Sequence, residues 1–354
     1  MPTKPAGDRL EFLDFARAIA ALSVALMHMV SEWSPRFQRF TLDVFNPGVF
    51  GVITFFLVSG FVIPFSLERL GSLPKFWINR LFRLFPLYGL SLVAVLALHA
   101  LDLGDPPPDF VAALPASALW NATMVHFLFD VPSAIGLYWT LSYEMLFYAS
   151  MSALFVVGLH KKSHWLLLGG ALLFAHFYVV DPLAHHRLRF HIPYFWMLTF
   201  WVGTTAYRGF CGDTRRSTVR LAILAFAASV GAAALANYAY VGTRHLDDGI
   251  NPPAFVSAWF AAYALFGLLL LRPGVRFPRA LLWLGRISYS VYIVHGLVLQ
   301  IALPVSPGVL LGLRLVGTVA LSALTYRFVE EPFLRWGKKL TRGARATVAT
   351  TRAG

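Results

Sequence analysis

The sequence has little charge and almost no cysteine. Only 13% of its 354 residues are charged, whereas 58% are hydrophobic, and soluble domains usually have about 25% charged residues. This composition leaves little room for a soluble domain and indicates a polytopic membrane protein. The single cysteine, Cys211, excludes an internal disulfide, and its surroundings show neither a nucleophile site nor zinc-ligand spacing. No metal site is expected.

The motifs of soluble enzymes are also missing. The sequence contains no GxSxG, Walker loop, HExxH or GxGxxG pattern. His126 and Asp130 form an HxxxD pattern, but chance supplies that spacing easily and the surrounding segment lacks a soluble fold. A cleavable signal peptide is not expected, because the first apolar run is too long and has no small-residue cleavage site.

The net charge of +13 does not indicate a nucleic-acid partner. The lysines and arginines lie in short loops between apolar runs, as the positive-inside rule describes. Ten apolar runs approach the length of about 20 residues that crosses a bilayer. We therefore expect an all-α polytopic membrane protein with about 10 transmembrane helices and both termini in the cytoplasm. The expected spans are 11–31, 47–66, 84–101, 137–157, 164–180, 192–207, 219–240, 255–271, 281–303 and 309–328.

The segment 102–135 is apolar enough to suggest an eleventh span. That span would place Lys161 and Lys162 outside and invert every later loop. Pro115 and Asn121 also interrupt it. We expect a re-entrant or surface helix on the outer side instead.

The end of the last expected span carries Glu330, Glu331 and Pro332. This pattern indicates a helix stop with local ion pairs to neighbouring arginines. The membrane domain is expected over 1–336, and the basic, small-residue-rich tail 337–354 is expected to be a disordered cytoplasmic segment.

The first apolar run carries a polar stripe. Arg17 and His28 are eleven residues apart, so they share one helix face at a separation of about 16 Å. Ionisable groups inside a membrane usually face a protein interior or a wet cavity. A snorkelling arginine and a packed histidine are the alternative. Asp14 is compatible with pairing to Arg17 or Arg80, or with capping the helix start.

Two further charged sites lie near expected membrane boundaries. Arg80 and Arg83 are one helical turn apart, and two guanidinium groups suit a phosphate ligand. Ordinary cytoplasmic anchoring or anionic lipid is the alternative. Glu144 lies inside the fourth expected span, where a carboxylate is paired or protonated. Arg17 and His28 are its expected partners, and a buried ion pair that fixes helix register is the alternative.

Two other spans carry small or polar residues. Ser59 and Gly60 interrupt the second span, and tight helix packing is the favoured interpretation of this pair. His295 shares a helix face with Ser288 and Tyr292 in the ninth span. It is either a second proton-active group or, as we favour, a structural histidine with satisfied hydrogen bonds.

Together and in order, these motifs resemble the membrane-bound acyltransferase-3 family, whose members acylate sugars and other hydroxyl-bearing acceptors in bacteria. Many relatives have two acidic residues in the fourth-span motif, whereas here Met145 follows Glu144. We expect no extracytoplasmic esterase-like domain of the kind that some members append. The resemblance covers roughly Leu10 to Trp336 and rests on Arg17-x10-His28, FFxxSGF at Phe55–Phe61, RxxR at Arg80–Arg83, WTLSxExxFY at Trp139–Tyr148, SYSxYxxH at Ser288–His295 and EEP at Glu330–Pro332.

The resemblance implies an O-acyltransferase in a bacterial inner membrane. It would move an acyl group, with acetyl favoured, from cytoplasmic acyl-CoA to a hydroxyl of a cell-surface glycan or glycolipid. Acyl-CoA would be a co-substrate, with no bound cofactor, and membrane lipid would surround the protein. Arg80 and Arg83 would hold the CoA diphosphate, and Arg17 would guide the pantetheine arm or hold a phosphate. His28 would be the general base.

The remaining catalytic roles stay open. Glu144 would orient the histidine and stabilise its positive charge, as the carboxylate does in a triad. A covalent acyl-histidine intermediate is an alternative mechanism. The competing class is a proton-coupled transporter or exporter, which explains Arg, His and Glu inside spans but not the paired arginines. Candidates for binding the substrate or the oxyanion are Ser59, Ser142, Tyr292 and His295.

Overall fold

The computed structural model describes residues 10–180, 192–241, 251–301 and 303–350, and the secondary structure within these ranges is entirely helical. Seven helices are long and apolar enough to cross a membrane, or eight if one broken pair counts as a span. The expected all-α, multi-pass class is therefore confirmed. The count of ten spans and the side on which each terminus lies stay predictions. The expected outer loops at 181–191 and 242–250 lie outside the described residues.

Fifteen α-helices are described, joined by turns and short 3₁₀ segments. They are α1 (Glu11–Trp33), α2 (Pro35–Asp43), α3 (Pro47–Leu70), α4 (Leu73–Ala100), α5 (Pro108–Ala112), α6 (Ala116–Ala122), α7 (Trp139–Val156), α8 (Ser163–Ala175), α9 (Ile192–Cys211), α10 (Arg216–Val241), α11 (Pro252–Leu271), α12 (Arg279–Arg286), α13 (Ser288–Leu299), α14 (Pro307–Thr325) and α15 (Glu331–Thr350).

Two expected spans have different boundaries in the structure. Helix α4 begins at Leu73 rather than near residue 84, so its basic first turns belong to the helix itself. Its 28 residues extend about 42 Å, longer than the hydrocarbon core. The expected span 281–303 is divided into α12 and α13, with a break at Ile287. A continuous ninth span was therefore a wrong prediction.

The described chain forms two compact units. The first contains the residues up to Phe65 and those from Leu146 to Arg286. Within it, α1 packs against α12 so closely that a Cβ at Gly285 would collide with the backbone oxygen of Asp14. Such close approach of helix backbones requires a residue without a side chain.

The second unit contains residues Ser66 to Met145 and those from Ile287 onward. Helix α13 is its most enclosed element, because ten of its twelve residues are buried. The segment 102–135 contains only short helices, of five residues in α5 and seven in α6. Neither can cross a bilayer, so this segment is not a straight eleventh span, as expected.

The last helices do not stop where the sequence predicts. Helix α14 passes through a π-helical turn at Tyr326–Glu330 directly into α15, which continues to Thr350. The wider turn accommodates Pro332, whose ring would otherwise clash with the preceding turn. The predicted stop was therefore wrong, and residues 337–350 are helical where disorder was expected. The predicted local ion pairs are present, since Glu331 contacts Arg327 at 3.0 Å and Arg335 at 2.7 Å.

Candidate functional site

The polar stripe of α1 begins with an ion pair. Arg17 Nη1 lies 3.4 Å from Asp14 Oδ1, one turn earlier on the same helix. The Asp14 side chain is buried, whereas that of Arg17 is 20% exposed. Asp14 is therefore partnered within its own helix, and Arg17 keeps part of its guanidinium accessible.

His28 is the accessible end of this stripe. It is exposed, although its neighbours Ala25 and Met29 on α1 are buried. Three turns of helix place it about 16 Å from Arg17. A general base must be reachable by the proton that it accepts, and His28 meets this requirement.

Ser59 and Gly60 on α3 have different surroundings. A Cβ at Gly60 would collide with the backbone oxygen of Phe200 on α9, and Thr204 Oγ1 donates a 2.9 Å hydrogen bond to the Gly60 carbonyl. This contact confirms the helix-packing interpretation of the glycine. Ser59 remains half-buried beside it.

Arg80 and Arg83 lie on α4 and are both half-buried. Arg80 Nη2 donates a 2.9 Å hydrogen bond to Ser66 Oγ, and its guanidinium lies 5.5 Å from the centre of the Phe76 ring. These contacts restrict the rotamers of a long side chain before any ligand binds. A guanidinium whose rotamers are already restricted loses less side-chain conformational entropy when it binds an anion.

Glu144 and Ser142 lie near the start of α7. Glu144 is half-buried, whereas Ser142 is fully buried and its hydroxyl donates to the Met124 carbonyl at 3.0 Å. The Ser142 proton is therefore already used in a backbone hydrogen bond. This leaves Ser142 a weaker oxyanion donor than a serine whose side chain is accessible.

Tyr292 and His295 on α13 are enclosed. The Tyr292 hydroxyl lies 2.9 Å from Thr140 Oγ1 and donates to the Leu137 carbonyl at 3.2 Å. His295 Nδ1 lies 3.1 Å from the Val291 carbonyl. Because a carbonyl only accepts, this nitrogen carries the proton. Both side chains have the contacts of structural residues, and their role as substrate or oxyanion groups stays a prediction.

Glu330 is a buried carboxylate, although the sequence predicted for it only a place in a helix stop with local ion pairs. It is 1% exposed, and Ser290 donates to its Oε2 at 2.9 Å. Thr318 and Ser322, four residues apart on the preceding helix, are also buried. That spacing places polar side chains on one inward face, and it is the signal that could have separated Glu330 from its half-buried neighbour Glu331.

The fold and these polar side chains define a multi-pass membrane protein with accessible basic groups inside its helices. The sequence profile of the acyltransferase-3 family, described as an acyltransferase domain, matches residues 10–327. The chain belongs to this family, and all nine predicted site residues lie within the matched range. No solved structure matches the chain.

Two relatives from different sources align over most of the chain. ORF330 of Acidianus two-tailed virus, provisionally named an acetyltransferase, is 27% identical over 84% of this chain and 84% of its own length. Nodulation protein 10 of Rhizobium leguminosarum bv. viciae is 27% identical over 80% of this chain and 82% of its own length. The protein is thus similar to both across its membrane helices, which supports a membrane acyltransferase.

Proposed function

We propose that the protein transfers an acyl group, with acetyl favoured, from cytoplasmic acyl-CoA to a hydroxyl of a cell-surface glycan or glycolipid. Family membership over residues 10–327, together with an accessible His28 on a buried helix, carries this proposal. The provisional name of the viral relative supports acetyl as the acyl group. The carbohydrate acceptor rests on the activities that the family resemblance implies.

Arg80 and Arg83 are the proposed donor site. Each guanidinium can form two parallel hydrogen bonds to phosphate oxygens, and Arg80 is already held by Ser66 and Phe76. The CoA diphosphate is the anionic part of the donor that suits such a pair. Arg17 is proposed to guide the pantetheine arm or to hold a phosphate.

His28 is the proposed general base. Its neutral imidazole takes the proton of the acceptor hydroxyl as the hydroxyl oxygen attacks the thioester carbonyl carbon. The carbon–sulfur bond then breaks, and the imidazolium returns the proton to the departing CoA thiolate. The role of Glu144 in stabilising the imidazolium, as the carboxylate does in a triad, stays a prediction.

Ser59 is our preferred donor for the oxyanion. Ser142 and Tyr292 are buried, whereas Ser59 on α3 is half-buried and keeps part of its side chain accessible. A preorganised donor at the developing negative charge accelerates acyl transfer. Ser59→Ala should therefore lower turnover more than it raises KM for acyl-CoA.

The proposed setting is a bacterial inner membrane with ten spans and both termini in the cytoplasm. The support is the bias of lysine and arginine toward alternate loops. In this orientation Arg80 and Arg83 lie at the cytoplasmic end of α4, on the side where acyl-CoA is made. Cysteine accessibility to an impermeant maleimide, residue by residue in a background without Cys211, would test this orientation.

Release of free CoA is the experiment that tests the proposed function. The purified protein in vesicles receives radiolabelled acetyl-CoA and an extract of surface glycans, and free thiol and labelled glycan are measured together. We expect both to rise at equal rates and to disappear in His28→Ala, with His99→Ala on α4 as the matched control. A transporter would move substrate without consuming acyl-CoA, and that result would contradict the proposal.

A further inference from the structure

In the segment between α4 and α7, several polar side chains are buried while neighbouring large apolar side chains are exposed. Ser117, Asn121 and His126 are buried, with exposures of 1%, 0% and 0%. In contrast, Leu119 is 71% exposed and Phe129 is 59% exposed. A segment folded for water has the opposite arrangement.

Hydrogen bonds hold this arrangement in place. The Asn121 amide donates to the carbonyls of Ser117 and Pro132 at 2.8 Å each, and its oxygen accepts from the Ala134 amide at 3.0 Å. The Tyr88 hydroxyl of α4 donates to the Asn121 carbonyl at 2.8 Å. The exposed apolar side chains are therefore held outward by hydrogen bonds in the polar interior.

We name these exposed apolar side chains between residues 119 and 129 the 119–129 surface. The rings of Trp120 and Phe129 are 5.0 Å apart, so α6 and the following 3₁₀ turn present them side by side. Exposing such a group to water is costly, at about 25 cal/mol for each Å² of apolar surface. The 119–129 surface consists of Leu119, Trp120, Phe127, Leu128 and Phe129, all of which are exposed.

The position of this surface along the chain indicates what covers it. The segment is tied at one end to α4 and at the other to α7, so it remains near the end of an apolar helix. Its first part carries the exposed carboxylates Asp105 and Asp109, whereas its second part carries the 119–129 surface. Tryptophan beside aliphatic side chains is typical of the boundary between lipid headgroups and acyl chains.

We propose that the 119–129 surface lies in the membrane interface and is covered by lipid, with the acidic part of the segment facing water. Lipid suits this surface better than a second copy of the chain, because the surface adjoins the end of an apolar helix. This proposal does not depend on acyl transfer.

Spin-label accessibility tests the proposal directly. Labels are placed at Leu119→Cys and Phe129→Cys in a Cys211→Ser background, and the protein is reconstituted in phosphatidylcholine–phosphatidylglycerol vesicles. Asp109→Cys is the water control, and Val93→Cys on α4, which is 63% exposed, is the lipid control. All four positions are exposed, so size-exclusion profiles should match that of the unlabelled protein.

We expect the ratio of collisions with oxygen to collisions with a water-soluble nickel complex to be several-fold higher at 119 and 129 than at 109. It should approach the value at 93. A ratio equal to that at 109 would overturn the proposal. Low collision rates with both reagents, together with dipolar broadening between labels, would show a second copy of the chain on this surface and would also overturn it.

Discussion

Helices α1 and α13 carry similar polar patterns with opposite accessibility. Each has a histidine at the far end of a polar face, eleven residues after Arg17 in α1 and seven after Ser288 in α13. His28 is exposed, whereas His295 is 0% exposed and bonded to its own helix. The comparison teaches that accessibility, rather than the presence of a histidine in a span, separates a candidate base from a structural residue.

The largest expected effect concerns the two histidines. His28→Ala should lower turnover by about 10²–10⁴-fold, the usual contribution of a general base, with little change in thermal stability. His295→Gln should instead lower the melting temperature, because it removes a buried ring that contacts Tyr292. Acyl transfer per folded molecule and thermal unfolding in detergent measure the two effects. A larger loss of turnover in the His295 variant than in the His28 variant would contradict the assignment of His28 as the base and His295 as a structural residue.

The paired arginines should affect donor binding. Arg80→Ala and Arg83→Ala should each raise KM for acyl-CoA by about 10–100-fold, since a charged hydrogen bond contributes about 1.5–3 kcal/mol. KM for the same acyl group on pantetheine, which lacks the nucleotide, should change far less. Arg276→Ala, at an exposed position, is the control. Equal effects on both donors would show that the arginines do not hold the diphosphate.

A third prediction concerns packing in the first unit. Gly60→Ala should destabilise the protein by about 1–3 kcal/mol, the range for overpacking, because the new methyl group would meet the backbone of Phe200. Gly267→Ala on α11 has no atom within 4 Å of the added Cβ and should be neutral or slightly stabilising. Reversible unfolding of both variants in mixed micelles gives the difference. Equal stabilities would contradict the close approach of α3 and α9.

The fourth prediction is a pH dependence at His126. Burial lowers the pKa of His126 to about 4, whereas an unfolded histidine titrates near 6.5. The unfolded state therefore binds a proton between pH 6.5 and 4 that the folded state does not, so stability should fall as pH decreases through this window. The stabilising contribution of neutral His126 should be fully present above pH 6.5.

Melting temperatures of the parent protein and of His126→Gln between pH 7 and 4.5 measure this contribution. His126 Nε2 lies 2.8 Å from Ser133 Oγ, and the centres of the His126 and Tyr138 rings are 6.5 Å apart. Asp130 follows the 3₁₀ turn His126–Phe129 that carries the histidine. Asp130 remains in both proteins, so the difference between them isolates the histidine. Parallel curves would show that His126 does not contribute.

Much of the fold follows from hydropathy, because long apolar runs have one stable form in lipid. The run 11–31 and the helix α1 agree within two residues. Hydropathy did not reveal the break at Ile287 or the π turn before Glu331, because both are backbone adjustments within apolar helices. Spacing predicted the polar stripe of α1, but it did not distinguish buried Glu330 from half-buried Glu331. That distinction depends on which helix face packs inward.

Chemical modification of histidine tests the central comparison most directly. Vesicles containing the protein are treated with diethylpyrocarbonate, with or without acyl-CoA, and each histidine is quantified by peptide mass spectrometry alongside acyl transfer. We predict that modification of His28 parallels the loss of transfer, that acyl-CoA protects it, and that His295 remains unmodified. Full transfer with His28 modified, or modification of His295 ahead of His28, would contradict the account.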